Sequence, residues 1–281
     1  MTKIAVIGIV GESVFLKVDD FGKIGETIVA HDLHRELGGK GFNQALAAAR
    51  CGAEVSFLAA VNEKDAEPYA KIADKCGIYA HFAGKKEKSP YAVISTDKSG
   101  DNKVCVYHGA VLETADVDAF AAKIAGSDGL LLNNEVPAAV NERAAEIARQ
   151  YGVRIILNPA PARTLDAAFL DKIDLFTPNE HETAGLEAYD NVVVTLGKRG
   201  CLIKKTGETI PARKVEKVVD TTGAGDVFSG VLAACYFGGA DLGTACRRAS
   251  VASAIKVSRK YILDSVPTKK EIDAFIEKYG K

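Results

Sequence analysis

The stretch Asp220-Thr221-Thr222-Gly223-Ala224-Gly225-Asp226 leads from a strand-like, apolar segment at residues 215–219 into an uncharged apolar run at 227–237. Two glycines let the backbone turn tightly and present successive N–H groups. The start of the following helix adds a partial positive charge of about half a unit. An anion is expected to bind there. Phosphoryl transfer needs fixed donors for the charge that develops and a base beside the attacking hydroxyl. Asp226, at the mouth of the helix, is placed to be that base. On the string alone a plainer reading stays open, in which a glycine-rich turn joins strand to helix and the aspartate merely caps it.

Outward from this turn, the second half of the chain alternates. Helices are predicted at residues 116–125, 138–151, 227–237, 242–257 and 269–278, and strands at 129–132, 154–157, 174–176 and 191–195. Such alternation argues for an α/β fold with a mostly parallel central sheet and helices on both faces. Residues 3–10 are short, apolar and β-branched, as a buried strand requires. Glycines at 38, 39 and 41 open a helix at 43–50, followed by a strand at 54–61 and a helix at 65–75 with Asp65 near its N-cap. Residues 90–107 read as a hairpin about Lys98-Ser99-Gly100-Asp101. With 13–20 and 27–35 it predicts a small separate sheet, a lid formed by about 12–36 and 88–108 on a single domain spanning 1–281. Between Asn179 and Asn191 the crossover is near the minimum length, leaving room for only a short helix at 182–189.

Composition excludes several functions. The 281 residues suit one α/β enzyme, with 47% hydrophobic and 26% charged residues. Lys plus Arg number 36 against 37 Asp plus Glu, with no block of like charge, so a nucleic-acid partner is not expected. Six cysteines without a Cys-x-x-Cys pair read as buried thiols in a reducing compartment. The first apolar run is too short for a secretion signal. The longest uncharged stretch, 227–240, falls short of the roughly 20 residues of a membrane span. A cytoplasmic protein away from membranes is the expectation. His31 and His34 lack a third ligand nearby and read as lid surface. Asp19 and Asp20 are adjacent and suit a turn. Lys40 reads either as a phosphate contact or as a solvent-facing lysine, and Phe42 either stacks on a base or packs. The start Gly8-Ile9-Val10-Gly11 lacks the glycine spacing of a dinucleotide-binding dehydrogenase.

The seven-residue string resembles the C-terminal signature of the ribokinase-like (PfkB-type) carbohydrate kinases. Gly38-Gly39-Lys40-Gly41-Phe42-Asn43-Gln44-Ala45 resembles their N-terminal signature, and the two occur in the family's order. Leu132-Asn133-Asn134-Glu135, Asn158-Pro159-Ala160-Pro161, Thr177-Pro178-Asn179-Glu180-His181-Glu182 and Thr195-Leu196-Gly197 resemble its intervening landmarks, so the likeness spans essentially the whole chain. It implies a three-layer α/β/α fold with a small β-sheet lid. It implies ATP as phosphoryl donor, magnesium, and a sugar hydroxyl as acceptor. Asp226 is then the base, with Gly223, Ala224 and Gly225 as the anion hole. Gly38, Gly39, Asn43 and Glu135 hold the sugar, Asn179, Thr195, Gly197 and Gly225 meet the nucleotide, and Glu182 reaches magnesium through water. A monovalent cation such as K+ is implied beside the anion hole, at Asp220, Thr222, Lys256, Arg259, Tyr261 and Ser265. Paired lids imply a homodimer.

Three departures from the family pattern stand out. Tyr261 occupies a position where glycine is usual, and Gly11 and Ser13 occupy those of an Asn and an Asp that grip sugar hydroxyls in ribokinase itself. Hydrogen bonds involving charged groups are worth about 1.5 to 3 kcal/mol each, so the sugar is left open. The leading expectation is an ATP-dependent carbohydrate kinase. The alternatives are a nucleoside kinase of the same family and a catalytically silent sugar- or nucleotide-binding protein.

Overall fold

In the computed structural model, which describes residues 1–280, the chain opens with β1 (Lys3–Ile7), β2 (Gly11–Lys17) and β3 (Asp32–Gly38), and a glycine turn delivers α1 (Lys40–Arg50). There follow β4 (Glu54–Asn62), α2 (Glu63–Lys75), β5 (Ile78–Lys85) and a hairpin of β6 (Tyr91–Thr96) and β7 (Asn102–Tyr107). The second half runs α3 (Thr114–Ala125), β8 (Gly129–Asn133), α4 (Ala138–Gln150), β9 (Arg154–Asn158), the single turn α5 (Ala167–Leu170) and β10 (Leu175–Phe176). Short strands β11 (Val193–Thr195), β12 (Cys201–Ile203) and β13 (Glu208–Ile210) precede α6 (Ala224–Phe237), α7 (Leu242–Val257) and α8 (Lys269–Tyr279).

Six strands form a parallel sheet in the order β10-β9-β8-β1-β4-β5. Its central strand is apolar on both faces, which a strand can be only when both are covered. Ile4 and Val6 pack with Phe42 and Leu46 of α1, Val231 and Leu232 of α6 and Ala249 of α7. Ala5 and Ile7 pack on the opposite side with Val117 and Phe120 of α3 and Val140 and Ala144 of α4. Three layers result, as the sequence pattern implies. The helix α1 starts hard against the end of β1, because a Cβ on Gly41 would stand 2.6 Å from the Gly8 Cα and one on Gly8 2.6 Å from the Gly41 Cα. Only paired glycines permit that approach.

A separate four-stranded sheet, β3-β2-β6-β7, is built from the segments expected for the lid. Its strands sit slightly differently: β2 begins at Gly11, opposite Gly38, and β3 begins at Asp32 rather than near 27. A third sheet, β11-β12-β13, was not foreseen beyond its first strand. It joins the edge of the large sheet through parallel bridges from Phe176 to Val192 and from Asn179 to Thr195.

Several expectations are corrected. Residues 215–219 form no strand, because the N–H groups of Val219 and Asp220 both donate to the Val257 carbonyl at the end of α7 (2.7 and 3.2 Å). Residues 182–189 form turns rather than a short helix. Lys204 Nζ instead gathers the carbonyls of Leu186, Glu187 and Tyr189 at 3.2, 2.6 and 2.7 Å. The N-cap of α2 is Asn62, whose side chain accepts from Lys64 N–H, not Asp65. Not every thiol is buried: Cys51, Cys201 and Cys246 are, Cys76 and Cys235 are half-buried, and Cys105 on β7 is exposed. No helix among the described residues is long and apolar enough to cross a membrane.

Candidate active site

The starts of α1 and α6 meet. Gly39 caps α1 at φ 104° and Gly223 caps α6 at φ 71°, both in the region that favours glycine. From α1, Asn43 Nδ2 donates to Asp226 Oδ2 at 3.0 Å and Gln44 Nε2 to Asp226 Oδ1 at 3.3 Å. Gln44 Nε2 also reaches Asn158 Oδ1 at the end of β9, at 3.1 Å. Asp226 is only 5% exposed, and Lys40 Nζ stands 4.0 Å from its Oδ1. Each carboxylate oxygen accepts an amide proton yet keeps a free lone pair, since an ionised carboxylate has about four acceptor sites.

Burial and charge work against each other around this carboxylate. The Asp226 charge raises the Lys40 pKa above the ordinary lysine value against the pull of burial, with Glu135 and Glu182 adding to the rise. Glu135, just past β8, is pushed up to about 7, chiefly by burial and secondly by the Asp226 charge, while Lys40 opposes the shift. Its Oε2 accepts the Lys40 backbone N–H at 2.8 Å, and Asn133 Oδ1 accepts the Glu135 N–H at 3.1 Å. Near neutral pH this group is poised between its two forms.

The first turn of α6 supplies donors. Its opening N–H groups have no acceptor one turn back. The Ala224 N–H bends to the Thr221 carbonyl at 3.2 Å, which leaves those of Gly225 and Asp226 for a ligand. A Cβ at Gly225 would meet nothing within 4 Å, so the space over it is open. That space belongs to a cleft of about 540 Å³ lined by Thr195, Gly197, Ala224, Gly225, Phe228 and Val257, to which Lys198, Arg213 and Lys214 add positive charge. Asn179 does not line it but pairs with Thr195, and the Thr195 N–H donates to the Pro178 carbonyl at 2.8 Å. Asn179 and Glu182 close a turn: Glu182 Oε2 accepts the Asn179 N–H at 2.9 Å and Asn179 Oδ1 accepts the His181 N–H at 2.8 Å.

Behind the turn that opens α6 lies a second group. Asp220 Oδ1 accepts the Thr222 N–H at 2.9 Å and Asp220 Oδ2 the Tyr261 N–H at 3.0 Å. Lys256, fully buried, donates to the Asp220 carbonyl at 2.8 Å. Ser265 Oγ lies 2.6 Å from the Tyr261 carbonyl, whereas the Arg259 side chain leaves the group to pair with Glu271 at 2.6 Å. Tyr261 adopts φ 62°, alone among the non-glycine residues described, and stacks on His34 of β3 with centroids 3.7 Å apart.

Sequence reasoning therefore brought Asp226, Asn43, Glu135, Gly223 and Gly225 to one place, and Thr195 and Gly197 to the adjoining cleft. It assigned no role to Gln44 or Asn158, and left Lys40 undecided. Their signal was available: Asn43 and Gln44 are polar neighbours opening an alanine-rich, buried helix, and buried polar side chains need partners. Phe42 packs rather than stacking on a base, since it is fully buried against Phe57 at 6.0 Å. His34 is held by Tyr261 and lies 3.6 Å from Glu36, not on an open lid surface. Among the described residues no group of three or more His, Cys, Asp or Glu side chains is gathered for a metal.

Residues 1–269 match the family model described as pfkB family carbohydrate kinase. The ribokinase of Haemophilus influenzae is 33% identical over 300 residues, 98% of each chain. The crystal structure of a ribokinase from Thermotoga maritima superposes with a TM-score of 0.87 at 30% identity, covering 99% of this chain and all of the other. The ribokinase of Arabidopsis thaliana complexed with ribose and ATP superposes at 0.84 with 25% identity, covering 99% of each chain. The chain belongs to the pfkB carbohydrate kinase family and is a ribokinase-like sugar kinase, a phosphotransferase with a hydroxyl acceptor.

Proposed function

We propose that Asp226 takes the proton from a sugar hydroxyl as that oxygen attacks the γ-phosphorus of ATP, and that ADP leaves as the new P–O bond forms. The observation that carries this reading is a carboxylate 5% exposed, three residues into a helix whose first N–H groups open on a cleft. The N–H groups of Gly225 and Asp226, which the Gly223-Ala224-Gly225 turn leaves unpaired, meet the transferring phosphoryl group. Asn43 and Gln44 fix the carboxylate, Lys40 balances charge between it and the phosphates, and Gly38, Gly39 and Glu135 border the sugar. Thr195 and Gly197, set by Asn179, flank the nucleotide.

The residues present fit magnesium. Glu182 commits Oε2 to the Asn179 N–H and keeps Oε1 for a hydrated ion, and it lies close enough to raise the Lys40 pKa. Magnesium, when bound, neutralises phosphate charge. The four-stranded sheet serves as a lid that keeps water from the phosphoryl group. Its β7 is exposed along its length, which suits pairing of two copies, and six cysteines left as free thiols suit the reducing cytoplasm.

The acceptor is a small furanose or related sugar. At Gly11 a Cβ would strike the backbone of Pro90, so no side chain can reach a hydroxyl from there, while Ser13 is buried opposite Glu36. An ADP-release assay over pentoses, deoxypentoses, hexoses and nucleosides tests the proposal. Turnover with a sugar is expected, and Asp226→Asn should lower kcat by about 10²- to 10⁴-fold. Unchanged turnover in that variant would remove the mechanism, and activity confined to nucleosides would remove the sugar assignment.

A further inference from the structure

We propose that Lys256 supplies, from within the chain, the fixed positive charge behind the anion-binding turn, so that this enzyme works without a monovalent metal ion. Lys256 closes the last turn of α7 and is wholly buried. Its Nζ donates to the Asp220 carbonyl at 2.8 Å and lies 3.4 Å from Asp220 Oδ2. Asp220 begins the segment that enters the anion-binding turn, and its carboxylate is the hub there, holding the N–H groups of Thr222 and Tyr261.

Two of the oxygens that the family resemblance offers to a cation, both of Asp220, are thus already taken by an ammonium. A lysine ammonium is a compact, singly charged donor of three hydrogen bonds, and it satisfies carbonyl and carboxylate oxygens much as an alkali ion does. An unpaired buried ammonium is costly. Three carboxylates face this one, Asp220, Glu36 and Asp226, and they oppose the drop in pKa that burial imposes. The position at a helix C-terminus favours a cation as well. Of the remaining family positions, Arg259 has turned away to Glu271, and the Ser265 hydroxyl is occupied with the carbonyls of Tyr261 and Ile262. Lys256 touches no reacting atom, so it is a positioning residue. It ties the C-terminus of α7 to the turn that opens α6.

The proposal rests on the phosphoryl-transfer reading of that turn, and its test separates the two. The full-length enzyme is freed of K+, Na+ and NH4+, and KCl replaces tetramethylammonium chloride at constant ionic strength. kcat/KM of the native enzyme should then change by less than about twofold, and its Tm without substrate should not rise, because a ligand bound only by the folded state would raise it. Lys256→Ala should lose at least about tenfold in kcat/KM and regain it with KCl or NH4Cl, with a saturable rise in Tm. A native enzyme activated tenfold or stabilised saturably by KCl overturns the proposal. So does a Lys256→Ala enzyme as active as the native one without added cation, or one whose loss no cation restores. If that variant does not fold, the native titration and the native Tm decide. The Tm arms need no turnover, so they answer even if no sugar is phosphorylated.

Discussion

Glu135 carries the clearest pH signature in the molecule. Its carboxyl is displaced from 4.5 to about 7 in the fold, mainly by burial, so the unfolded chain releases this proton first. The stability it confers is complete below about pH 4.5 and is lost as pH rises through 7, at most about 3 kcal/mol. In Glu135→Gln, calorimetry without ligands should find Tm close to native at pH 5 and above native at pH 8, with a higher sugar KM. An equal Tm difference at both pH values would show that Glu135 does not titrate in this range. Lys40→Met should lower kcat by at least about tenfold, because in the proposed mechanism the ammonium 4.0 Å from Asp226 offsets charge between carboxylates and phosphates. Stopped-flow single turnovers would reveal it, and an unchanged rate would return Lys40 to the solvent-facing reading. Asp226 was legible through the seven-residue signature it closes, since on the glycine turn alone a capping role stayed open. Gln44 was legible only as a buried polar group in want of a partner, because that partner, Asn158, lies 114 positions away in the chain. Local pattern carries no trace of such a pairing.

At the level of elements, the chemistry depends on how closely α1 and α6 approach. Gly230 sits at their crossing, where a Cβ would run into the Gln44 carbonyl and stand 2.7 Å from Ala47 Cβ. Gly230→Ala should therefore cost about 1–3 kcal/mol in urea unfolding. It should also depress kcat, since the two helices hold Asn43 and Gln44 against Asp226. A variant with native stability but lowered kcat would still fit that lever, whereas native values of both would refute it. The long helices and buried strands declared themselves through periodicity and apolar runs. The short pieces did not. Residues 215–219 look like a strand in composition, but their neighbour is a helix end with a carbonyl to spare, and Val218 is left 58% exposed. The hairpin of β12 and β13 has three residues a strand, too few for alternation to register.

For the molecule as a whole, the order β10-β9-β8-β1-β4-β5 puts β1 at the centre, and the strand and helix alternation announced such a sheet without giving that order. The smaller sheet is anchored beside the site: Glu36 of β3 accepts the N–H groups of Ile262 and Leu263 at 2.7 and 3.0 Å. Its far edge, β7, leaves Val104 and Val106 at 55% and 52% exposure, on the face shared with Phe15 and Ile94. If two copies meet there, light scattering should give twice the chain mass for the native protein and a single chain for Val104→Glu/Val106→Glu. A native monomer would dismiss the pairing. The same strand holds Cys105, the only exposed thiol of the six. A maleimide fluorophore would attach there without any engineering, on the edge farthest from the anchor. If the sheet shuts over the sugar as proposed, its emission would turn each closure into an optical signal, giving the residence time of a bound sugar directly from a fluorescence trace.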